Sequence, residues 1–377
     1  MIIAVDEAIP FLQPALAEIG NVKPFSGRAV SPGDVRDADA LIVRSITRVG
    51  AALLAGSSVR FVGTVSIGTD HLDMDYLAAR NIHCANAAGS NAHAVAEYVI
   101  AALLVTAERK NWDLSGKSLA IIGVGHIGTL VEKMAAALGM EVLLCDPPLR
   151  ESTGDTRYGY LDDVLKADFL TLHVPLTTDG PYPTRHMINQ EVFQRLSPRQ
   201  FVINSARGAV VCGPDLKDAL HARRIGGAIL DVWEEEPGID LELLDLVDIG
   251  TPHIAGSSQD GKMRGTARVF GELCGFLGIP DSWDHRNIEA PAQRLHPGAA
   301  ATGLDAVRSV VLQAYDILRD DANLRSLKGI SKRDIALRFD HLRNGYTLRP
   351  EFSHFIVERV KETSLALTLE VLGFKID

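Results

Sequence analysis

The chain has 377 residues, a formal net charge of −10, and 46% hydrophobic against 23% charged residues. That length predicts two or three domains with sizeable cores, and the balanced composition excludes disorder as the default state. The acidic balance excludes a general affinity for nucleic acid, which needs clustered Lys and Arg against the phosphates.

Met1 to Pro10 carry Asp6 and Glu7 instead of a basic, apolar leader, and no run approaches the roughly 18 apolar residues of a membrane span. A cytoplasmic location without membrane contact is expected. Cys84, Cys145, Cys212 and Cys274 are scattered, without a CxxC pair, so they read as reduced small hydrophobes and no metal site is expected.

Strand-length apolar runs alternate with helix-like stretches: Ile2 to Val5, Ala40 to Val43, Phe61 to Val65, Ser118 to Ile122, Glu141 to Cys145, Phe169 to His173, Phe201 to Asn204 and Ala228 to Val232. Such alternation predicts an α/β protein of parallel sheets covered by helices. Ala94 to Arg109 contains no Gly or Pro and reads as a buried helix leading from one domain to the next. Lys262 to Leu277 reads as the return crossing. The expected organisation is discontinuous: a first domain over 1–93 and 262–280, an inserted nucleotide domain over 94–261, and a C-terminal domain over 281–377 that opens on a polar, Pro-containing link. There, Leu304, Val307, Val311, Tyr315 and Leu318 recur at helical spacing and predict one amphipathic helix. Phe352 to Val360 and Leu365 to Val371 are open to strand or helix.

Gly123-Val124-Gly125-His126-Ile127-Gly128 lies directly between the Ser118 to Ile122 run and the helix-like Thr129 to Leu138. In this GxGxxG pattern the first glycine permits a tight turn, the second admits a pyrophosphate, and the third allows close packing of helix on strand. Phosphate then sits at a helix N-terminus. Asp146 ends the next strand-like run, about 20 residues on, where a carboxylate accepts from ribose hydroxyls. A carboxylate there repels the extra phosphate of NADP, so NAD is the expected cofactor, held by Gly123, Gly125, His126, Ile127, Gly128 and Asp146.

Polar residues follow the last strands: Arg207 in Asn204-Ser205-Ala206-Arg207-Gly208, Glu236 in Asp231-Val232-Trp233-Glu234-Glu235-Glu236-Pro237, and His253 in Thr251-Pro252-His253-Ile254-Ala255-Gly256. In doubly wound sheets, residues past the carboxyl ends of strands face the ligand. Any one of these alone is as readily a solvated loop residue; their order and setting favour chemistry. The side chains of His71, His83, His93, His126, His173 and His186 have no such support, and Trp233 reads as packing.

With the glycine loop and Asp146, these three segments resemble the D-isomer-specific 2-hydroxy acid dehydrogenases. The resemblance implies a flavodoxin-like substrate domain, an inserted Rossmann NAD domain, and hydride transfer between NAD and the C2 carbon of a 2-hydroxy acid. It implies that Arg207 binds the substrate carboxylate and C2 oxygen, that His253 exchanges the hydroxyl proton, and that Glu236 orients the imidazole and favours its protonated form. It also places Val174, Ala206, Asp231 and Gly256 at the cofactor.

In the first domain, Arg44 and Ser45 end one strand, and Ser66-Ile67-Gly68-Thr69-Asp70 forms a loop after another. Backbone amides of such a loop hold a carboxylate, and Arg44 is placed to neutralise a second anion. A pairing of Arg44 with a neighbouring acid is the competing reading. Met1 to Glu7 with Pro10, Asp179 to Thr184, Asp248 to Gly250, and Gly261-Lys262 resemble one branch of the family. Its members take a phosphorylated 2-hydroxy acid and carry a small α+β C-terminal domain used for homodimer formation, with a segment like Arg349 to Phe352. Ser257, a candidate substrate contact with Ser45, Ser66 and Gly68, stands where the family often has tyrosine; Ser66 and Val174 stand where threonine is common. A lost hydrogen bond to a charged group costs about 1.5–3 kcal/mol. Two alternatives remain at this level: a dehydrogenase for 3-phosphoglycerate, glyoxylate or hydroxypyruvate, and a non-catalytic NAD-sensing protein. Closure of the nucleotide domain on the first domain is the expected way of completing the site.

Overall fold

The computed structural model describes residues 1–284, 292–298 and 302–377. The link expected to open the C-terminal region falls partly outside these. The chain forms two compact units, Met1–Asn91 with Ser258–Ala290, and Ala92–Ser257 with Pro291–Asp377.

The first unit is built on five parallel strands, β1 (Ile2–Asp6), β2 (Asn21–Phe25), β3 (Ala40–Val43), β4 (Phe61–Thr64) and β5 (His83–Asn86), in the order β2-β1-β3-β4-β5. This is the flavodoxin-like order. The central strands β3 and β4 are buried throughout, which is why they read as continuous apolar runs. The edge strands β2 and β5 carry the polar sequences Asn-Val-Lys-Pro-Phe and His-Cys-Ala-Asn and gave no strand signal. Pro24 is tolerated in β2 because an edge strand has one unpaired side. Helix Gln259–Leu277 returns to this unit, and its Val269, Phe270 and Leu273 pack with Ile3, Val5, Ile42 and Phe61.

The second unit carries β6 (Ser118–Ile122), β7 (Glu141–Cys145), β8 (Tyr158–Gly159), β9 (Phe169–Leu172), β10 (Phe201–Asn204), β11 (Gly227–Leu230) and β12 (Ile249–Gly250), all parallel, in the order β12-β11-β10-β9-β6-β7-β8. Reversal of strand order beside β6 is the topological switch point at which doubly wound sheets bind ligands. Helix Ala92–Lys110 is buried along nearly its whole length. It requires apolar neighbours on all sides.

Those neighbours come partly from the C-terminal segment. Val307, Val310, Val311, Phe352, Phe355 and Leu369 share one core with Val99, Leu103, Leu119 and Ile121. The small C-terminal domain expected over 281–377 thus packs its apolar faces into the core of the nucleotide sheet's unit, with which its described residues are grouped. A three-stranded sheet of β13 (Gln293–Leu295), β14 (Phe355–Val357) and β15 (Lys375–Ile376) lies within that segment. The single helix expected through Tyr315 and Leu318 is instead two, Gly303–Ala314 and Ile317–Arg325. Asp316 starts the second by accepting from the amides of Leu318 and Arg319, a local competition that periodicity does not register.

Arg349 fastens the segment to the long helix. Its guanidinium pairs with Glu97, donates to the Ala94 carbonyl at 2.7 Å and lies 4.2 Å from the Tyr315 ring centre. Both charged side chains are buried, at 7% and 2% exposure. Burial pushes the Glu97 carboxyl upward and the Arg349 charge opposes it. Arg349→Ala strands that carboxylate, so equilibrium denaturation should show a loss of about 3–5 kcal/mol, partly restored by adding Glu97→Gln.

Candidate active site

The glycine loop follows β6 and opens the helix His126–Ala137. Gly123 has φ +92°, and a Cβ there would lie 2.8 Å from the His173 carbonyl carbon. At Gly128 a Cβ would meet the Gly123 oxygen at 2.3 Å, so helix and strand approach as closely as glycine permits. Gly125 differs: nothing lies within 4 Å of its Cβ position. That open space in front of a helix N-terminus is what a pyrophosphate requires. His126 and Ile127 form the first turn of the same helix.

Asp146 stands beside this loop. One carboxylate oxygen accepts from the Val124 amide at 2.8 Å, and the other caps helix Pro147–Thr153 through the Leu149 amide at 3.0 Å. Val174 follows β9 and would touch a Cβ at Gly123. Its neighbour His173 is half-buried, with its Nδ1 shielded from solvent, and desolvation of the ring pulls its imidazole down to about 3, leaving it neutral.

Arg207, Glu236 and His253 leave the ends of β10, β11 and β12. Asn204 shapes the first turn, accepting from the Ala206 amide and donating to the Arg207 carbonyl. Gly208 then lies on the next loop so closely that a Cβ would sit 2.1 Å from the Trp233 carbonyl. His253 Nδ1 and Glu236 Oε1 are 2.6 Å apart. Burial acts to raise the Glu236 carboxyl, but the charge and hydrogen bond of His253, then the charge of Arg343, hold it below the ordinary range. Glu236 is therefore an anion across the neutral range.

His253 has φ +57°, a left-handed backbone that costs a non-glycine residue about 1–2 kcal/mol. The turn is held from below. Asp231 accepts from the Thr251 hydroxyl at 2.7 Å and from the amides of Ile254 and Ala255 at 2.8 and 2.9 Å, and its carbonyl takes the His253 amide. Thr251 in turn meets the Tyr98 hydroxyl at 2.9 Å, and Trp233 Nε1 donates to the Thr251 carbonyl. Trp233 is thus packing with a second duty. Tyr98, Thr251 and the anchoring role of Asp231 escaped the sequence reading, since a threonine and a tyrosine 153 residues apart carry no joint pattern. Gly256 and Ser257 complete the turn, with the Ser257 amide on the Ile254 carbonyl.

In the first unit, Arg44 gives Asp6 two hydrogen bonds, at 2.8 and 3.1 Å, with Asp6 fully buried. The acid pairing considered for it is real. Ser45 beside it is exposed. Ser66 and Gly68 lie in the loop after β4, where the Ser66 amide is turned on to the Thr64 hydroxyl and its carbonyl accepts from the Ala87 amide. Lys262, which carried no assigned role, is exposed at its side chain, and partial desolvation with the nearby Arg44 charge pushes its ammonium down. Two cations near each other mark a place suited to an anion.

His186, Cys212 and Glu234 bring three possible metal-ligand atoms within 4.8 Å of one another in the second unit. Their partners are already within the protein: His186 Nε2 bonds Glu234, whose second oxygen takes the Gly213 amide at 2.8 Å. No metal role is assigned to them.

Residues 78–255 match the family described as D-isomer specific 2-hydroxyacid dehydrogenase, NAD binding domain, and residues 289–373 match a domain of unknown function. The erythronate-4-phosphate dehydrogenase of Chromohalobacter salexigens is 41% identical over 388 aligned residues, covering 100% of this chain and 99% of that one. The protein of the same name from Salinibacter ruber is 43% identical, covering 94% of this chain and 93% of its own. The chain belongs to the D-isomer-specific 2-hydroxyacid dehydrogenase family.

Within that family, the chain groups with the erythronate-4-phosphate dehydrogenases and is an NAD-dependent enzyme. The structure of a D-lactate dehydrogenase from Aquifex aeolicus, solved with NAD and lactic acid, superposes with a TM-score of 0.58 at 26% identity, covering 74% of this chain and 96% of that one. Shared 2-hydroxyacid dehydrogenase architecture thus spans about three-quarters of the chain. Gly208→Ala in this dehydrogenase should push the Arg207 turn off the Trp233 backbone. Steady-state kinetics should show kcat/KM down about 100-fold, with NAD binding by fluorescence retained.

Proposed function

We propose that the enzyme oxidises 4-phospho-D-erythronate at C2 to (R)-3-hydroxy-2-oxo-4-phosphooxybutanoate in pyridoxal 5'-phosphate (vitamin B6) biosynthesis, working as a cytoplasmic homodimer. The observation that carries the reaction type is the 2.6 Å pairing of His253 with an ionised Glu236.

Bound NAD supplies the acceptor for the hydride that leaves C2. As the C2–H electron pair departs, the hydroxyl oxygen forms the carbonyl and releases its proton to His253 Nε2, the ring nitrogen that Glu236 leaves available. Glu236 holds Nδ1 and stabilises the resulting imidazolium. Arg207 offers a planar, two-pronged donor to the substrate carboxylate and C2 oxygen. Gly123, Gly125, His126, Ile127, Gly128, Asp146, Val174, Ala206, Asp231 and Gly256 are the proposed cofactor contacts. Ser257, and in the first unit Ser45, Ser66 and Gly68, are the proposed substrate contacts. The phosphate is assigned to Arg44 and Lys262, since Asp6 occupies much of the Arg44 fork and a dianion calls for a second cation.

Purified enzyme given NAD, 4-phospho-D-erythronate and, in a parallel reaction, a 2-oxo acid acceptor should form the 2-oxo product. His253→Ala should reduce the rate about 100- to 10,000-fold. Turnover of glycerate or 3-phosphoglycerate without any of 4-phospho-D-erythronate would discard the substrate and keep the hydride chemistry; silence with every acid would favour an NAD sensor. Lys262→Gln should raise KM for the phosphorylated acid about 10- to 100-fold, the loss expected for one charge-assisted hydrogen bond. NAD affinity, measured by fluorescence quenching, should stay unchanged.

A further inference from the structure

The part of the chain that matches a domain of unknown function reaches the catalytic pair. Helix Lys332–Asn344 carries Arg343 in its last turn, and Arg343 Nη1 lies 3.8 Å from Glu236 Oε1, the same oxygen that meets His253 Nδ1 at 2.6 Å. The helix is anchored by Ile335 and Phe339, which pack in one cluster with Leu216, Leu244 and Val247. Its predecessor, Ile317–Arg325, is fastened to the strand that leads into the catalytic turn. Asp321 accepts from the Gly250 amide at 2.7 Å, while Arg325 donates to the carbonyls of Leu244 and Val247 at 2.7 and 2.9 Å. The C-terminal segment therefore carries an arginine to the catalytic acid on a support tied to the turn bearing His253.

We infer that Arg343 is a positioning residue for the reaction: it holds Glu236 as an oriented anion and opposes retention of the proton on His253, giving the C-terminal segment a part in catalysis. This rests on the reading of His253 as proton acceptor. An anion placed between two cations stabilises each less than it would stabilise one alone, and the two cations repel. A neighbouring carboxylate by itself favours the imidazolium over the neutral ring, and only the neutral ring can accept the hydroxyl proton. Among the described residues, the charged groups acting on the pair include Arg343 on Glu236, and Asp231, whose buried carboxylate is felt by His253. Arg343 is a cation, so its removal shifts the balance toward imidazolium.

The test is the pH dependence of kcat/KM for oxidation by the full-length enzyme. Arg343→Gln should move the acid limb up by about half to one pH unit. The rate at neutral pH then falls about 3- to 10-fold and recovers at alkaline pH, with thermal stability and NAD affinity unchanged. Arg343→Lys should restore most of the native profile, and Arg343→Glu should move the limb further in the same direction. An Arg343→Gln profile that superimposes on the native one, or that drops equally at every pH, would overturn the inference. Full activity in His253→Ala would instead remove the reading beneath it, so the two failures are distinguishable.

Discussion

The buried carboxylate of Asp231 gathers the turn on which the proposed chemistry depends. It sits at the end of β11 with 2% exposure and accepts from one hydroxyl and two amides of the following β12 turn. A charge in that position is costly unless its oxygens are satisfied, and these partners satisfy them. The same contacts force His253 into a left-handed backbone that the sequence would not choose locally. Strain at a functional residue persists only where the surroundings over-determine it. Asp231, Thr251, Tyr98 and the Trp233 indole supply that determination.

Support extends outward in layers to residues remote in sequence. Tyr98 belongs to a helix whose burial needs the C-terminal segment, and Glu97 on the same helix is answered by Arg349. Gly250 is answered by Asp321. A chain truncated before these partners would expose apolar surface and leave a buried carboxylate unpaired, beneath a turn whose geometry must be held to fractions of an ångström. The C-terminal segment is thus continuous with the nucleotide-binding unit in core, hydrogen bonding and charge.

Much of this was legible in the sequence where the signal was local. Buried parallel strands such as Ala40–Val43 and Ser118–Ile122 announce themselves as short apolar runs, and the glycine loop with Asp146 has a spacing tied to a mechanism. Arg207, Glu236 and His253 stand after consecutive strands, the choice of Glu236 among three consecutive glutamates resting on the family resemblance, and the structure brings Glu236 and His253 together. Edge strands were not legible, because Asn21–Phe25 and His83–Asn86 need few apolar residues. The break at Asp316 was hidden under an uninterrupted helical period. Partnerships such as Tyr98 with Thr251, or Arg343 with Glu236, have no sequence signature, since tertiary folding alone brings them together.

Asp146 performs structural work as well as the ribose recognition proposed for it. Its two oxygens hold the Val124 amide of the glycine loop and cap the helix that follows. A capping carboxylate replaced by alanine costs about 0.5–2 kcal/mol. Any evolutionary route from NAD toward NADP at this position therefore begins with a penalty to the framework, before a phosphate is accommodated. Asparagine or serine can keep the cap while removing the charge, so these residues are the accessible first steps along that route. If Asp146 sets the cofactor preference as proposed, the fold itself buffers it.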